Sequence, residues 1–226
     1  MKYYIDTGNL SEIEAALEQN LIDGITTNPT LVLKEGKDFK FLLTSIAKLL
    51  KKYKADKDFT VSAEVTAPDT KAMVLQGKEL AKIDSHIIVK VPLTTEGLAA
   101  VRELAKSKIR CNVTLCFSVN QAVLAAKAGA FIVSPFIGRL DDAGHDGTEL
   151  IEKIRLAYDT YGYQTQILAA SIRGGKHVED ATLAGSDIAT IPTKVLNKLV
   201  QHPLTTLGLE QFNKDWDKFQ RGLNKQ

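Results

Sequence analysis

The sequence predicts an α/β protein: a (β/α)8 barrel of the TIM type with an additional C-terminal helix. Three observations predict it. Eight short apolar runs alternate with eight amphipathic helical patterns from end to end. Several of the runs are nearly continuous in Ile, Val and Ala, as parallel strands covered on both faces must be. The 226 residues divide into eight units of about 28, at the short end for this fold, so its loops must be tight. A doubly wound open sheet is the competing architecture. Against it, no Gly-x-Gly-x-x-Gly turn follows the first strand, and there is no Walker-type phosphate loop.

The strands are expected at residues 3–6, 24–26, 60–65, 87–91, 112–115, 131–134, 167–170 and 188–191. Ser11 is placed to cap a helix over 12–19, with Glu14 at the capping-box position. A helix over 38–53 carries Phe39, Leu42, Leu43, Ile46, Leu49 and Leu50 on one face. Helices over 70–83, 95–106, 119–127, 148–161, 176–184 and 193–200 follow, and Gly129 and Gly185 fall where two of them should stop. No Pro- or Ser-rich linker divides the chain, so residues 1–226 read as one domain. The extra helix spans about 204–223, with Phe212, Trp216 and Phe219 on one face. That face packs either on its own barrel or on a second subunit, and spacing alone does not choose.

Composition excludes several function classes. Hydrophobic content of 44% and charged content of 25% suit a soluble globular protein with a substantial core. A net charge of +2, from 29 basic and 27 acidic residues, is no footprint for nucleic acid or anionic lipid. No apolar stretch has the length of a membrane span, and the N-terminus lacks a signal-peptide pattern. Cys111 and Cys116 are too few for a disulfide framework and have no histidine partners at metal-site spacing. The acidic loop 141–147 resembles a calcium loop but has Lys153 where the closing glutamate belongs. A reduced cytoplasmic location is expected.

In a barrel of this kind the reacting groups sit at the C-terminal ends of the strands. Lys90 stands out there, inside the apolar run His86-Ile87-Ile88-Val89-Lys90-Val91-Pro92. Its stem can be buried with the head reaching water. Alternatively, desolvation can favour a neutral amine that attacks a carbonyl. Asp6, Asn28, Glu64, Asn112, Thr114, Ser134, Phe136, Arg139, Ser171 and Arg173 lie at or just beyond the other strand ends. Singly, each has a structural explanation, as a cap, a turn or a surface charge. Together they describe Schiff-base chemistry. An amine condenses with a ketone, and the protonated imine is an electron sink that lets the adjacent C–C bond break. Glu64 and Thr114 suit the water-mediated proton shuttle. Asp6 suits the base for the β-hydroxyl, a role typically worth about 10²–10⁴ in rate. Ser171-Ile172-Arg173-Gly174-Gly175 combines a hydroxyl, a guanidinium and two glycines before a helix, with Arg139 as a second clamp, which suits a phosphate.

The chain resembles the transaldolases of the short single-domain type. The resemblance runs over nearly the whole length and rests on Ile5-Asp6-Thr7, Gly24-Ile25-Thr26-Thr27-Asn28-Pro29-Thr30, Val89-Lys90-Val91-Pro92 with Thr95-Glu96-Gly97-Leu98, Asn112-Val113-Thr114-Leu115, Ser134-Pro135-Phe136-Ile137-Gly138-Arg139, and Ala169-Ala170-Ser171-Ile172-Arg173. It implies that Lys90 is the Schiff-base lysine, that Asp6 moves the proton of the C–C step, and that Glu64 and Thr114 hold the catalytic water. It also implies that Asn28, Asn112 and Ser134 hold the dihydroxyacetone hydroxyls, and that Arg139, Ser171 and Arg173 bind phosphate. The implied reaction moves dihydroxyacetone from sedoheptulose 7-phosphate to glyceraldehyde 3-phosphate, in the non-oxidative pentose phosphate pathway, with no metal or organic cofactor. A homo-oligomer, a pentamer or a decamer, is implied as well. The related fructose-6-phosphate aldolases release free dihydroxyacetone and carry glutamine and tyrosine where this chain has Glu64 and Phe136. A barrel that binds phosphosugars without covalent chemistry is the alternative from another class.

Overall fold

A computed structural model of the protein describes residues 1–36 and 38–223. The elements run β1 (Lys2–Asp6), α1 (Leu10–Glu18), β2 (Gly24–Thr26), α2 (Pro29–Glu35), α3 (Phe39–Lys52), β3 (Thr60–Glu64), α4 (Thr70–Ala81), β4 (Ile87–Pro92), α5 (Thr95–Lys106) and β5 (Cys111–Cys116). They continue with α6 (Val119–Lys127), β6 (Ile132–Pro135), α7 (Ile137–Asp142), α8 (Gly147–Tyr161), β7 (Gln166–Ala169), α9 (Gly175–Leu183), β8 (Ile188–Ile191), α10 (Thr193–Leu199) and α11 (Pro203–Leu223). The eight strands form one closed parallel barrel in sequence order, with β1 pairing β8. Each strand end lies within one residue of the sequence expectation.

Three local expectations are corrected. The cap of α1 is Asn9, whose side chain accepts the Ser11 and Glu12 amides at 3.0 and 3.1 Å. Ser11 is already inside the helix, and Glu14 instead reaches across to Lys52, the last residue of α3, and to Tyr53 just after it. Two short helices, α2 and α7, were not anticipated, because seven and six residues are too few to show a helical period. The signal for α2 is local: Asn28 caps it, and Pro29 occupies the first turn, where its missing N–H costs nothing.

Strand side chains alternate between two packed groups, as the pleat requires. Ile5, Ile25, Val61, Ala63, Val89, Val91, Val113, Val133, Ile167, Ala189 and Ile191 pack outward with the buried faces of the helices. Tyr4, Ile88, Ile132, Leu168, Ala170 and Ile188 pack inside the barrel. These six form an apolar floor that closes off the barrel below its C-terminal mouth. The floor depends on Gly24. A Cβ there would lie 2.5 Å from the Tyr4 ring, which is itself pinned by a 2.7 Å hydrogen bond donated by Thr60 Oγ1 to its hydroxyl. Overpacking of this kind costs about 1–3 kcal/mol. Gly24→Ala should therefore lower stability by that amount in urea unfolding, and the loss should shrink in a Tyr4→Leu background, where the ring is gone.

Candidate active site

Above the floor, inward-facing positions become polar, and they surround a cavity of about 390 Å³. Ten of the eleven residues singled out in the sequence line it: Asp6, Asn28, Glu64, Lys90, Thr114, Ser134, Phe136, Arg139, Ser171 and Arg173. Register brings the central pair together. Glu64 on β3 stands opposite Lys90 on β4, and Lys90 Nζ lies 3.1 Å from Glu64 Oε2. Lys90 is buried, at 5% exposure, so its head does not escape to solvent. Its second partner is the Thr27 carbonyl, which accepts from Nζ at 3.1 Å. The lysine is thus held by one carboxylate and one backbone oxygen, as a buried nitrogen must be.

Asp6 faces the same cavity. Burial pushes its pKa above the ordinary 3.8, opposed by a hydrogen bond from Thr26 Oγ1 at 2.8 Å and by the charge of Lys90. Since the Thr26 hydroxyl spends its one proton on Asp6, its contact with Thr190 Oγ1 must be donated by Thr190. Thr26 and Thr190 also line the cavity and Thr27 adjoins it through its carbonyl, though the sequence singles out none of the three as a site residue. Alternation could have found Thr26 and Thr190, which share the inward parity of Asp6 and Lys90. Thr27 contributes only its carbonyl, for which no side-chain signal exists.

Thr114 Oγ1 is buried and, among the described residues, has no protein hydrogen-bond partner. A buried hydroxyl normally has one, so this atom is available to a ligand or a water in the cavity. A register irregularity in β5 between Val113 and Cys116, with Leu115 at φ 64°, lies beside it. Asn112 is the exception among the eleven. It sits below the cavity, fully buried, where Oδ1 accepts from Ser134 Oγ at 2.7 Å and Nδ2 donates to Ser62 Oγ at 3.1 Å. It therefore orients Ser134 and does not itself line the cavity. Asn28 lines the wall, but its Oδ1 is engaged with the Leu31 amide at 3.0 Å as the cap of α2.

The opposite rim gathers the cationic groups. The Arg139 guanidinium lies 5.0 Å from the centre of the Phe136 ring, which in turn meets Phe117 edge-on. The Arg173 side chain pairs with Asp142. Gly138 lets α7 lie against the loop after β7, because a Cβ there would come within 2.0 Å of the Ser171 carbonyl oxygen. The helix N-termini on this rim differ from the others. Helices α1 to α6 and α8 each have a side-chain cap, whereas α7, α9 and α10, which follow β6, β7 and β8, have none. Apart from the Ile137 and Val195 amides, which donate to the Ala170 and Pro192 carbonyls, their first-turn amides are left for other acceptors. No group of three or more His, Cys, Asp or Glu side chains suited to a metal occurs among the described residues. None of the described helices is long and apolar enough to cross a membrane.

A polar cavity at the C-terminal mouth of a parallel barrel marks the class: this is a β/α-barrel enzyme site. Comparison with known proteins narrows it. Residues 3–224 match the family described as Transaldolase/Fructose-6-phosphate aldolase. A probable transaldolase of Desulfotalea psychrophila is 50% identical over 218 residues, covering 96% of this chain and 99% of the relative. One from Lactiplantibacillus plantarum is 50% identical over 220 residues, covering 97% and 98%. One from Roseiflexus sp. is 51% identical over 223 residues, covering 98% and 100%. The chain belongs to the transaldolase/fructose-6-phosphate aldolase family and is an aldolase-type enzyme.

The environment of Asp6 has a measurable consequence. Its folded pKa lies above the unfolded one, so its carboxylate form costs stability above the folded value, and that cost vanishes below the ordinary 3.8. Asp6→Asn keeps an acceptor for Thr26 and removes the charge. Its urea midpoint should exceed that of the parent protein at pH 7, and the difference should shrink as the pH falls toward 3.8.

Proposed function

We propose that the protein is a transaldolase that works through a Schiff base on Lys90. The Lys90 amine attacks the C2 ketone of sedoheptulose 7-phosphate, and the carbinolamine loses water to give the iminium. Asp6 takes the proton of the C4 hydroxyl as the C3–C4 bond breaks, and the electron pair moves into the iminium to form the enamine. Erythrose 4-phosphate leaves. The enamine then attacks the aldehyde carbon of glyceraldehyde 3-phosphate, Asp6 returns its proton to the new alkoxide, and water restores the amine with release of fructose 6-phosphate. Glu64 and Thr114 handle the water of imine formation and hydrolysis. The iminium is itself the electron sink, so the route calls for no cofactor. Ser134, oriented by Asn112, and the Asn28 amide nitrogen hold the hydroxyls of the three-carbon unit, while Arg139, Ser171 and Arg173 take the phosphate.

The observation that carries this reading is a buried lysine, 3.1 Å from Glu64 and sharing one cavity with Asp6 and a threonine hydroxyl that has no partner among the described residues. The three helix N-termini without side-chain caps support the placement of phosphate on the arginine side. A second reading, fructose-6-phosphate aldolase, differs in the fate of the enamine. Phe136 favours transfer: it lines the cavity with an apolar ring and no hydroxyl to guide water to the intermediate. A homo-oligomer, a pentamer or a decamer, belongs to the same proposal. From 203 to 222 every residue of α11 is exposed apart from Gly208, so its aromatic face does not pack on its own barrel. Leu204, Leu207, Phe212, Trp216 and Phe219 are left for a second copy to cover.

Borohydride added with fructose 6-phosphate should leave a reduced three-carbon adduct on Lys90 by peptide mass spectrometry. Folded protein that acquires no adduct would sink the Schiff-base mechanism. Transfer to erythrose 4-phosphate should exceed release of free dihydroxyacetone, and Phe136→Tyr should raise the released fraction. Arg173→Ala should raise KM for fructose 6-phosphate by about 10- to 100-fold, as loss of a charge-assisted bond implies, and affect dihydroxyacetone far less. Phe212→Glu with Trp216→Glu should shift the sedimentation coefficient to a smaller species.

A further inference from the structure

A hydrogen-bond chain outside the cavity ties together the elements that carry the two rim arginines. It starts at Asp141, near the end of α7, the helix that also carries Arg139. Asp141 Oδ1 accepts the Gly147 amide at 2.8 Å, at the start of α8. Its other oxygen, Oδ2, lies 3.0 Å from His177 Nε2, in the first turn of α9. On the far side of the ring, His177 Nδ1 accepts the backbone N–H of Arg173 at 3.1 Å.

The partners dictate the tautomer. A backbone N–H can only donate, so Nδ1 must be unprotonated. A carboxylate can only accept, so Nε2 must carry the proton. His177 is thus a neutral imidazole whose orientation and tautomer are set by Asp141, in the manner of a carboxylate–histidine pair that orients a third group.

The third group is the loop after β7. Ser171 sits there at φ 63°, a left-handed conformation that a non-glycine residue keeps only when its surroundings hold it. Among the described residues, the bond to His177 is the one hydrogen bond made by the amides of residues 171–174. The helix that follows has Gly174 as its cap residue and gets no side-chain cap from it. His177 therefore reaches back from the first turn to hold an amide of the loop before the helix, a loop whose Ser171 and Arg173 line the cavity. The Arg173–Asp142 pair does not replace it. Both side chains are more than half exposed, at 53% and 58%, and solvent screens such a contact. The His177 and Asp141 side chains are better shielded, at 20% and 38% exposure.

We infer, on the footing that Arg173 and Ser171 bind the substrate phosphate, that His177 is a positioning residue for that phosphate. Its Nε2–H tautomer, selected by Asp141, holds the Ser171–Arg173 turn in the conformation that presents the hydroxyl and the guanidinium to the phosphate.

The test compares His177→Ala, His177→Asn and Asp141→Asn with the parent full-length chain. Two quantities are read: KM for fructose 6-phosphate, and half-saturation by unphosphorylated dihydroxyacetone in the borohydride trap on Lys90. His177→Ala should raise KM for the phosphorylated sugar about tenfold, the effect expected for one lost hydrogen bond, with a much smaller change for dihydroxyacetone and in kcat. His177→Asn places an amide oxygen where Nδ1 was and should recover most of the loss. Asp141→Asn can present an NH₂ to Nε2. The nitrogen-15 spectrum of the ring should then change from the Nε2–H to the Nδ1–H tautomer, with a rise in KM like that of His177→Ala.

Equal losses for the phosphorylated and unphosphorylated ligands would assign His177 a merely structural role and overturn the inference. So would a ring found as the Nδ1–H tautomer in the parent protein. If Arg173→Ala raises KM and His177→Ala does not, the inference fails alone and the phosphate site stands. If Arg173→Ala leaves KM unchanged, the phosphate site fails and takes the inference with it. Should His177→Ala not fold, Asp141→Asn decides: a rise in KM for the phosphorylated sugar alone, together with the tautomer change, supports the inference, and an unchanged KM despite that change overturns it.

Discussion

A charge placed inside a closed barrel has nowhere to go, and the Lys90–Glu64 pair is the answer this chain gives to that constraint. Every second residue of a barrel strand points inward, so a lysine on the inward parity of β4 cannot turn out to solvent. Parallel register then decides who meets it: Glu64 from β3 on one side and the Thr27 carbonyl at the end of β2. Burying such a pair is rarely a source of stability, since desolvation offsets much of the attraction. What the pair does is hold an amine and a carboxylate 3.1 Å apart in the cavity at the barrel mouth.

The rest of the barrel can be understood as what makes that placement possible. The apolar floor of Tyr4, Ile88, Ile132, Leu168, Ala170 and Ile188 closes the lower interior and confines polarity to the C-terminal mouth. Gly24 leaves room for the Tyr4 ring, so even a glycine far from the chemistry has a part in keeping the floor intact. Around the mouth the site divides. The lysine, the two carboxylates, Thr26 and Thr114 gather on β1 to β5, with Thr190 of the adjoining β8 beside Thr26. The arginines and the helix N-termini without side-chain caps gather after β6 to β8. A substrate with a ketone at one end and a phosphate at the other matches that polarity.

The residues at the mouth were unusually legible because strand ends carry them. Asp6, Glu64, Lys90 and Ser134 each interrupt or close an apolar run, and a charged group in such a run demands an explanation before any coordinates exist. Other features were hidden for definite reasons. The cap of α1 moved from Ser11 to Asn9 because two residues of similar capping chemistry lie two positions apart, and only backbone angles separate them. Helices α2 and α7 were too short to display a period. Asn112 shares the inward parity of Thr114 but sits one layer lower, and depth within a barrel depends on the shear between strands rather than on any one strand. The contact between His177 and the Arg173 amide was invisible as well, since nothing in the string shows that a first-turn histidine folds back on the preceding loop.

By itself the sequence determined the eightfold alternation of strand and helix, the inward parity of each strand, and which residue types would stand at the mouth, because these are local and periodic properties. Only the tertiary structure decided who faces whom. Closure of β1 against β8 and the register of each strand pair brought Lys90 to Glu64, Asp6 to Thr26, and the chain Asp141–His177–Arg173 into line. The physical reason is that hydrogen-bond register and barrel closure are long-range conditions, satisfied by all eight strands at once. No stretch of sequence carries them alone. The same limit applied to α11: its apolar face was plain from spacing, but only the folded chain showed that its own barrel leaves that face uncovered.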